Sequence, residues 1–287
     1  MDFAETEDQK MIRGMVREFA EDVAGPTCNK RDKEQIAPIE EFKKFAELGF
    51  AGMTIPEKYG GQKLDDISEA IVVEELSRVD PSLGVMIAVH VGLCSMTIAL
   101  SGNEEQKEKY LPKLASGEFL GAYSLSEAGS GTDAAAMVAR ATDDGEHYTL
   151  NGEKMWVTNG TTADLFVLFA KVTDHPDYGK KSHGGVTCFI IEKGFEGFEI
   201  GKKEDKLGIR SSDTCTLILN ECKVPKANVL GDVGKGFPIA MNALDNSRIG
   251  IAAQGLGIAQ GAYEAALKLS LIHISEPTRR RGISYAV

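Results

Sequence analysis

The spacing of apolar residues changes character near residue 116, and that change restricts the fold more than any other feature of the chain. Before it, Met11, Ile12, Met15, Val16, Phe19, Ala20 and Val23 recur at three-to-four spacing, with Arg13, Arg17 and Glu18 opposite them. This pattern predicts an amphipathic helix. Residues 39–48, closing at Gly49, and 66–79, closing before Asp80-Pro81, predict two more. Residues 85–100 are apolar nearly all round; 16 residues fall short of the ~20 that cross a bilayer, so a buried core helix is expected. Residues 104–115 form a charged helix, and Ser116-Gly117 breaks it.

After the break, residues 119–125, 134–142, 147–150, 154–158, 165–172, 186–192 and 214–219 are rich in β-branched and aromatic side chains between Gly and Asp turns. These segments are expected to be strands. Asn151-Gly152 between two of them is a strong local hairpin signal. Residues 236–268 then return to helical spacing, with a face of small and apolar residues suited to close helix packing. The order predicts an α+β multidomain chain: an N-terminal α-helical domain over 1–115, a middle β-sheet domain over 116–232, and the start of a C-terminal helical bundle over 233–268.

Charge narrows the function. The 43 acidic and 32 basic side chains leave a net charge of -11, which repels phosphate backbones and anionic lipid, so neither nucleic acid nor membrane is an expected partner. Five cysteines without a C-x-x-C pair suggest neither a zinc ribbon nor a disulfide framework, and five scattered histidines suggest no metal site. The acidic start, Met1-Asp-Phe-Ala-Glu-Thr-Glu-Asp8, has no leader pattern, and a cytoplasmic, bacterial protein is expected. Gly255-Leu-Gly257-Ile-Ala-Gln-Gly261 departs from the dinucleotide fingerprint and has no strand before it, so these read as packing glycines.

Two strings carry the chemistry: Tyr123-Ser-Leu-Ser-Glu-Ala-Gly-Ser-Gly-Thr-Asp133 and Asn151-Gly-Glu-Lys-Met-Trp-Val-Thr-Asn-Gly160. A flavin ring needs donors along its pyrimidine edge, a partner near N5 and an apolar or aromatic wall, because charge develops at N1 and O2 on reduction. Ser126, Thr158 and Trp156 are of those types. Both strings resemble the flavin-binding signatures of the acyl-CoA dehydrogenase family. Gly201-Lys-Lys-Glu-Asp-Lys-Leu-Gly-Ile-Arg210 and Leu244-Asp-Asn-Ser-Arg-Ile-Gly-Ile251 are similar to its short-chain, butyryl-CoA-type branch, and the resemblance covers residues 1 to about 268.

The resemblance implies an FAD-dependent α,β-dehydrogenation of a short-chain acyl-CoA to the trans-2-enoyl-CoA. Electrons would pass to an electron-transfer flavoprotein, and the complete protein would be a homotetramer. An acyl-CoA oxidase shares the scaffold and is the rival enzyme reading; a fragment that only binds flavin or coenzyme A is the non-catalytic one. Residue by residue, Tyr123, Leu125 and Ser126 match the pyrimidine side of the flavin, and Gly131 and Thr132 close that loop, with Thr132 also near the pantetheine of the substrate. Trp156, Val157 and Thr158 match the aromatic wall and the hydroxyl near N5. Asp245 and Arg248 match the pair that holds the thioester end of coenzyme A.

Each residue has a plainer alternative. Trp156 could be core packing, Ser126 and Thr158 turn caps, and Asp245 with Arg248 an i,i+3 surface ion pair. Ala128 stands where the family often has proline, which loosens the turn. The pattern is expected to fail at Leu269, where Leu-Ser-Leu-Ile-His-Ile-Ser-Glu-Pro-Thr-Arg279 resembles the translation of a transposase-end adapter used in DNA library preparation. Residues 269–287 would then be a non-native tail, Pro277 would break any helix, and the catalytic glutamate of the family would lie beyond the truncation.

Overall fold

The structure, a computed structural model, describes residues 4–275. The first helix, α1 (Glu7–Phe19), opens on a capping box in which Thr6 and Gln9 satisfy each other's backbone N–H groups. It does not stop near residue 23. A π-turn at Ala20–Ala24 leads into α2 (Gly25–Glu34), which ends where Gln35 takes φ 56. Pro26 reads locally as a stop, but it sits in the first turn of α2, where its missing N–H is least costly, and the wide turn before it absorbs the break in the ladder.

Helices α3 (Ile39–Glu47) and α4 (Asp66–Val79) follow, the first closed by Gly49 at φ 87 and the second capped by Asp65, which accepts from Ser68 N at 2.7 Å. Asp80-Pro81 separates α4 from α5 as expected, yet Pro81 begins the next helix rather than delaying it, with Asp80 as its cap. α5 (Pro81–Ala88), a π-turn at Val89–Ser95 and α6 (Met96–Ser101) form one run of 21 residues, within which a window of 18 has mean hydropathy 2.1. The length argument against a membrane span therefore does not hold. Burial decides instead, since 72% of the apolar window lies inside the protein. α7 (Glu104–Ala115) has a second capping box, from Asn103 and Gln106.

Eight strands among the described residues form one sheet: β1 (Gly121–Ser124), β2 (Arg140–Asp143), β3 (His147–Thr158), β4 (Leu165–Val172), β5 (Val186–Glu192), β6 (Phe198–Lys203), β7 (Thr214–Pro225) and β8 (Val229–Leu230). Their order is β6-β7-β3-β2-β4-β5-β8, with β1 parallel to β4. β4 explains how the helices are attached. Phe166, Leu168, Ala170 and Val172 enter a core shared with α1 and α3–α5, whereas Leu165, Val167 and Phe169 enter one shared with α6, α7 and the last helix. A strand buried on both faces reads as a continuous apolar run.

Asn151-Gly152 does not form the expected hairpin. β3 is a single strand of 12 residues, and the Asn-Gly step is a bulge in which Asn151 faces both Asn220 and Glu221 of β7. Gly152 is needed there because a Cβ would lie 2.8 Å from Ala139 Cα. The side chain of Asn151 also bonds Glu221 through both its amide and its carbonyl, which a turn residue could not do. The strand expected from residue 134 begins only at Arg140, after a short 3₁₀ turn, and β6 and β8 were not foreseen.

The last helix, α8 (Gly236–Ser275), runs past Leu269, where the pattern was expected to fail. Pro277 and Arg279–Arg281 lie outside the described residues. α8 packs tightly on α4: a Cβ at Gly257 would lie 2.2 Å from Glu74 O, and one at Gly261 2.1 Å from Arg78 O. The glycines of that near-fingerprint string thus serve helix contact. Arg78 then ties the pair together through Glu264, at 2.7 Å.

Candidate functional site

The first string forms β1 and the loop after it, the second forms β3, and α8 crosses above both. Their meeting encloses a cavity of about 440 Å³. His90 sets the start of β1. It is fully buried, burial pushes its pKa down to about 4, and the neutral ring accepts from Gly121 N at 3.0 Å while its other nitrogen donates to Leu114 O at 3.1 Å. Asn159, at φ 64, fixes the end of β3 by donating to Met86 O and Gly121 O. Asp213 secures the turn that follows, accepting from Thr161 N and Thr162 N at 2.8 and 3.1 Å.

The cavity brings together six of the eight residues matched to the flavin: Tyr123, Leu125, Ser126, Gly131, Thr132 and Trp156. Tyr123 is buried with its ring 5.3 Å from that of Phe169, and desolvation raises its pKa well above the usual phenol value. Ser126 accepts from Met155 N at 2.9 Å, which joins the loop to the bulged part of β3. Val157 is turned into the core and could meet a ligand only through its backbone, while Thr158 pairs opposite Thr214 and lies off the cavity wall.

Trp156 is the unusual member. It is 59% exposed and holds φ 56, a region that bulky L residues avoid. The cause is a second bulge, where Met155 and Trp156 together face Thr216. The bulge turns the indole out of the sheet and over the cavity, so core packing does not describe this residue. Backbone strain of this type costs about 1–3 kcal/mol and persists where the surroundings impose it.

The opposite wall comes from α8: Phe237, Met241, Leu244 and Arg248 face the same space. Their 4-3-4 spacing places them on one helix face, and Met155 stands beside Trp156 in the second string. Asp245 does not line the cavity. It pairs with Arg248 at 2.7 Å with both side chains 70% exposed, the surface ion pair of the plainer alternative, although Arg248 also reaches the cavity.

A second cavity, of about 770 Å³, lies beyond the segment 134–138, with Arg140, Lys171, Lys180 and Lys181 around it. Four cations around one hollow contrast with the acidic chain as a whole. Lys181 is paired with Asp177 and Lys171 with Ala135 O.

Family models match three stretches: the acyl-CoA dehydrogenase N-terminal domain over residues 6–118, the middle domain over 122–222 and the C-terminal domain over 234–272. The short-chain specific acyl-CoA dehydrogenase of Clostridium acetobutylicum is 48% identical over 266 residues, covering 93% of this chain and 69% of that protein. Among solved structures, butyryl-CoA dehydrogenase from Megasphaera elsdenii superposes with a TM-score of 0.89 at 42% identity, over 93% of this chain and 70% of that one. A chain in the structure of the electron transferring flavoprotein of Acidaminococcus fermentans does so with a TM-score of 0.89 at 48% identity, over 93% and 69%.

Proposed function

Because the chain belongs to the acyl-CoA dehydrogenase family, an FAD-dependent family of oxidoreductases, we propose that the cavity under Trp156 holds the flavin ring and that the protein dehydrogenates a short-chain acyl-CoA at its α and β carbons. One observation carries this reading: an exposed tryptophan held at a strained φ over a cavity that Leu125, Ser126, Gly131 and Thr132 also line. A large exposed apolar surface kept at a conformational cost implies an occupant. When bound, the flavin supplies the acceptor for the hydride leaving the β carbon.

The chain's own residues bind and orient. The indole walls one face of the ring, Leu125 and Ser126 border the pyrimidine edge through backbone and hydroxyl, and Gly131 with Thr132 closes the loop. Val157 contributes backbone, and the Thr158 hydroxyl, at the end of β3 and off the cavity wall, is the group proposed for N5. Phe237, Met241 and Leu244 exclude water from the opposite side. Arg248, held by Asp245, meets the thioester end of the substrate, with Thr132 near the pantetheine. The basic cavity past residues 134–138 suits the phosphates of coenzyme A.

Among the described residues, Asp133 is the one carboxylate lining the cavity, and it is exposed at the loop end. We therefore assign the α-proton acceptor to the part of the family's length that this chain does not span. The boundaries near 115 and 232, the homotetramer, the electron-transfer flavoprotein as acceptor and a cytoplasmic location belong to the same proposal.

A chimera tests it. Joined to the remaining third of the Clostridium relative, the chain should give flavin bleached anaerobically by butyryl-CoA and reoxidised by an electron-transfer flavoprotein far faster than by air. Fast reoxidation by air alone would favour an oxidase. No bleaching by any short acyl-CoA, with flavin bound, would contradict the reading.

A further inference from the structure

Lys154 and Glu127 stand outside the cavity wall, yet they lie inside the two strings that build it. Lys154 is 0% exposed and Glu127 3% exposed. Their ion pair measures 2.7 Å, and the ammonium also donates to Leu125 O at 3.0 Å. Glu127 in turn accepts from Val138 N at 2.6 Å and from Ala139 N at 3.1 Å. Its backbone exchanges two hydrogen bonds with Ser130, of 2.9 and 3.0 Å. One buried charge pair therefore grips the loop 125–133 at its start and the segment 138–139 at its far side, and does so from β3, the strand that carries Trp156.

We propose that Lys154, acting through Glu127, is a positioning residue for the flavin: it fixes the loop 125–133 against β3 so that Leu125, Ser126 and the Trp156 indole hold one spacing. This rests on the flavin reading of the cavity. Burying a charge pair is a poor source of stability, since desolvation offsets the attraction, and such pairs can instead serve to specify one geometry. The alternative, a merely structural pair, predicts that only an unpaired charge does harm.

The double substitution Glu127→Gln/Lys154→Met separates the two. It leaves no buried charge unpaired, but it removes the ammonium's link to the Leu125 carbonyl. On the 287-residue chain, two readouts are taken: hydrogen exchange of the Val138, Ala139 and Met155 amides without flavin, and the FAD dissociation constant. The inference expects exchange at least roughly tenfold faster and FAD bound at least roughly tenfold more weakly, with Lys154→Met alone as weak or weaker. A double variant with unchanged exchange overturns it, as does an FAD dissociation constant within about twofold of the parent. Should the parent itself not bind FAD while the exchange rates rise as expected, the flavin reading fails and the clamp stands. Should the double variant not fold, the equally uncharged pair Glu127→Gln/Lys154→Leu is measured against the same thresholds.

Discussion

Replacing Trp156 with asparagine separates a cofactor wall from a packing residue through stability alone. At 59% exposure, about two-fifths of the side chain is covered. For a tryptophan of ~200 Å² that is ~80 Å², or ~2 kcal/mol at ~25 cal/mol per Å². Against this stands the backbone at φ 56, whose strain of about 1–3 kcal/mol asparagine relieves because it tolerates the left-handed region. The two terms nearly cancel, and the net change is expected to lie within about 1 kcal/mol of zero. A tryptophan packed in a core would cost about 3–5 kcal/mol on truncation. Urea unfolding of the flavin-free protein, followed by far-ultraviolet circular dichroism, measures the difference. A loss of 3 kcal/mol or more, to the order given for core truncation, would refute the reasoning.

Three further outcomes follow. Glu69 is half-buried without a hydrogen-bond or ion-pair partner among the described residues, its carboxyl facing Gly92 and Gly250; desolvation, with Asp66 nearby, raises its pKa from 4.5 to about 7. The folded state thus binds the proton more tightly, so this group's contribution is fully favourable below pH 4.5 and is lost as pH rises through about 7. Discounted for partial exposure, Glu69→Gln should gain about 1–3 kcal/mol near pH 8 and little near pH 4.5, read from unfolding at both; equal gains would contradict this. Gly152→Val should cost about 2 kcal/mol or more, because its side chain meets Ala139, whereas a hairpin-turn position would tolerate it better; denaturant midpoints decide. Gly257→Leu should separate α8 from α4 and lower the melting temperature by several degrees, while the same change at Gly255, which faces open space, should not.

The two strings were legible because their residue types are those a flavin edge requires, and the cavity gathers most of them. What escaped was set by partners distant in sequence. Asn151-Gly152 has the local signature of a turn, but β7, some 70 residues away, pairs across it and makes a bulge. Pro26 and Pro81 look like helix stops and prove to be helix starts, because the residues before them adopt a π-turn or a cap. Leu244 was assigned to generic helix packing and Phe237 and Met241 to no role, since helical spacing alone does not tell a neighbouring helix from a ligand. Lys154 and Glu127 received no role from the sequence, and only the folded pairing reveals that both are buried. Thr158 and Asp245 were placed by resemblance, and the cavity wall does not include them.

Trp156 is the sole tryptophan in the sequence, so intrinsic fluorescence excited at its red edge reports on the cavity and nothing else. Titrating FAD into the protein is the most direct test of the claim that the indole walls a flavin site. The account predicts saturable quenching that riboflavin reproduces in part and AMP does not, with the flavin band shifting in parallel. Emission that stays constant while FAD is added, or that AMP quenches as strongly, would contradict it.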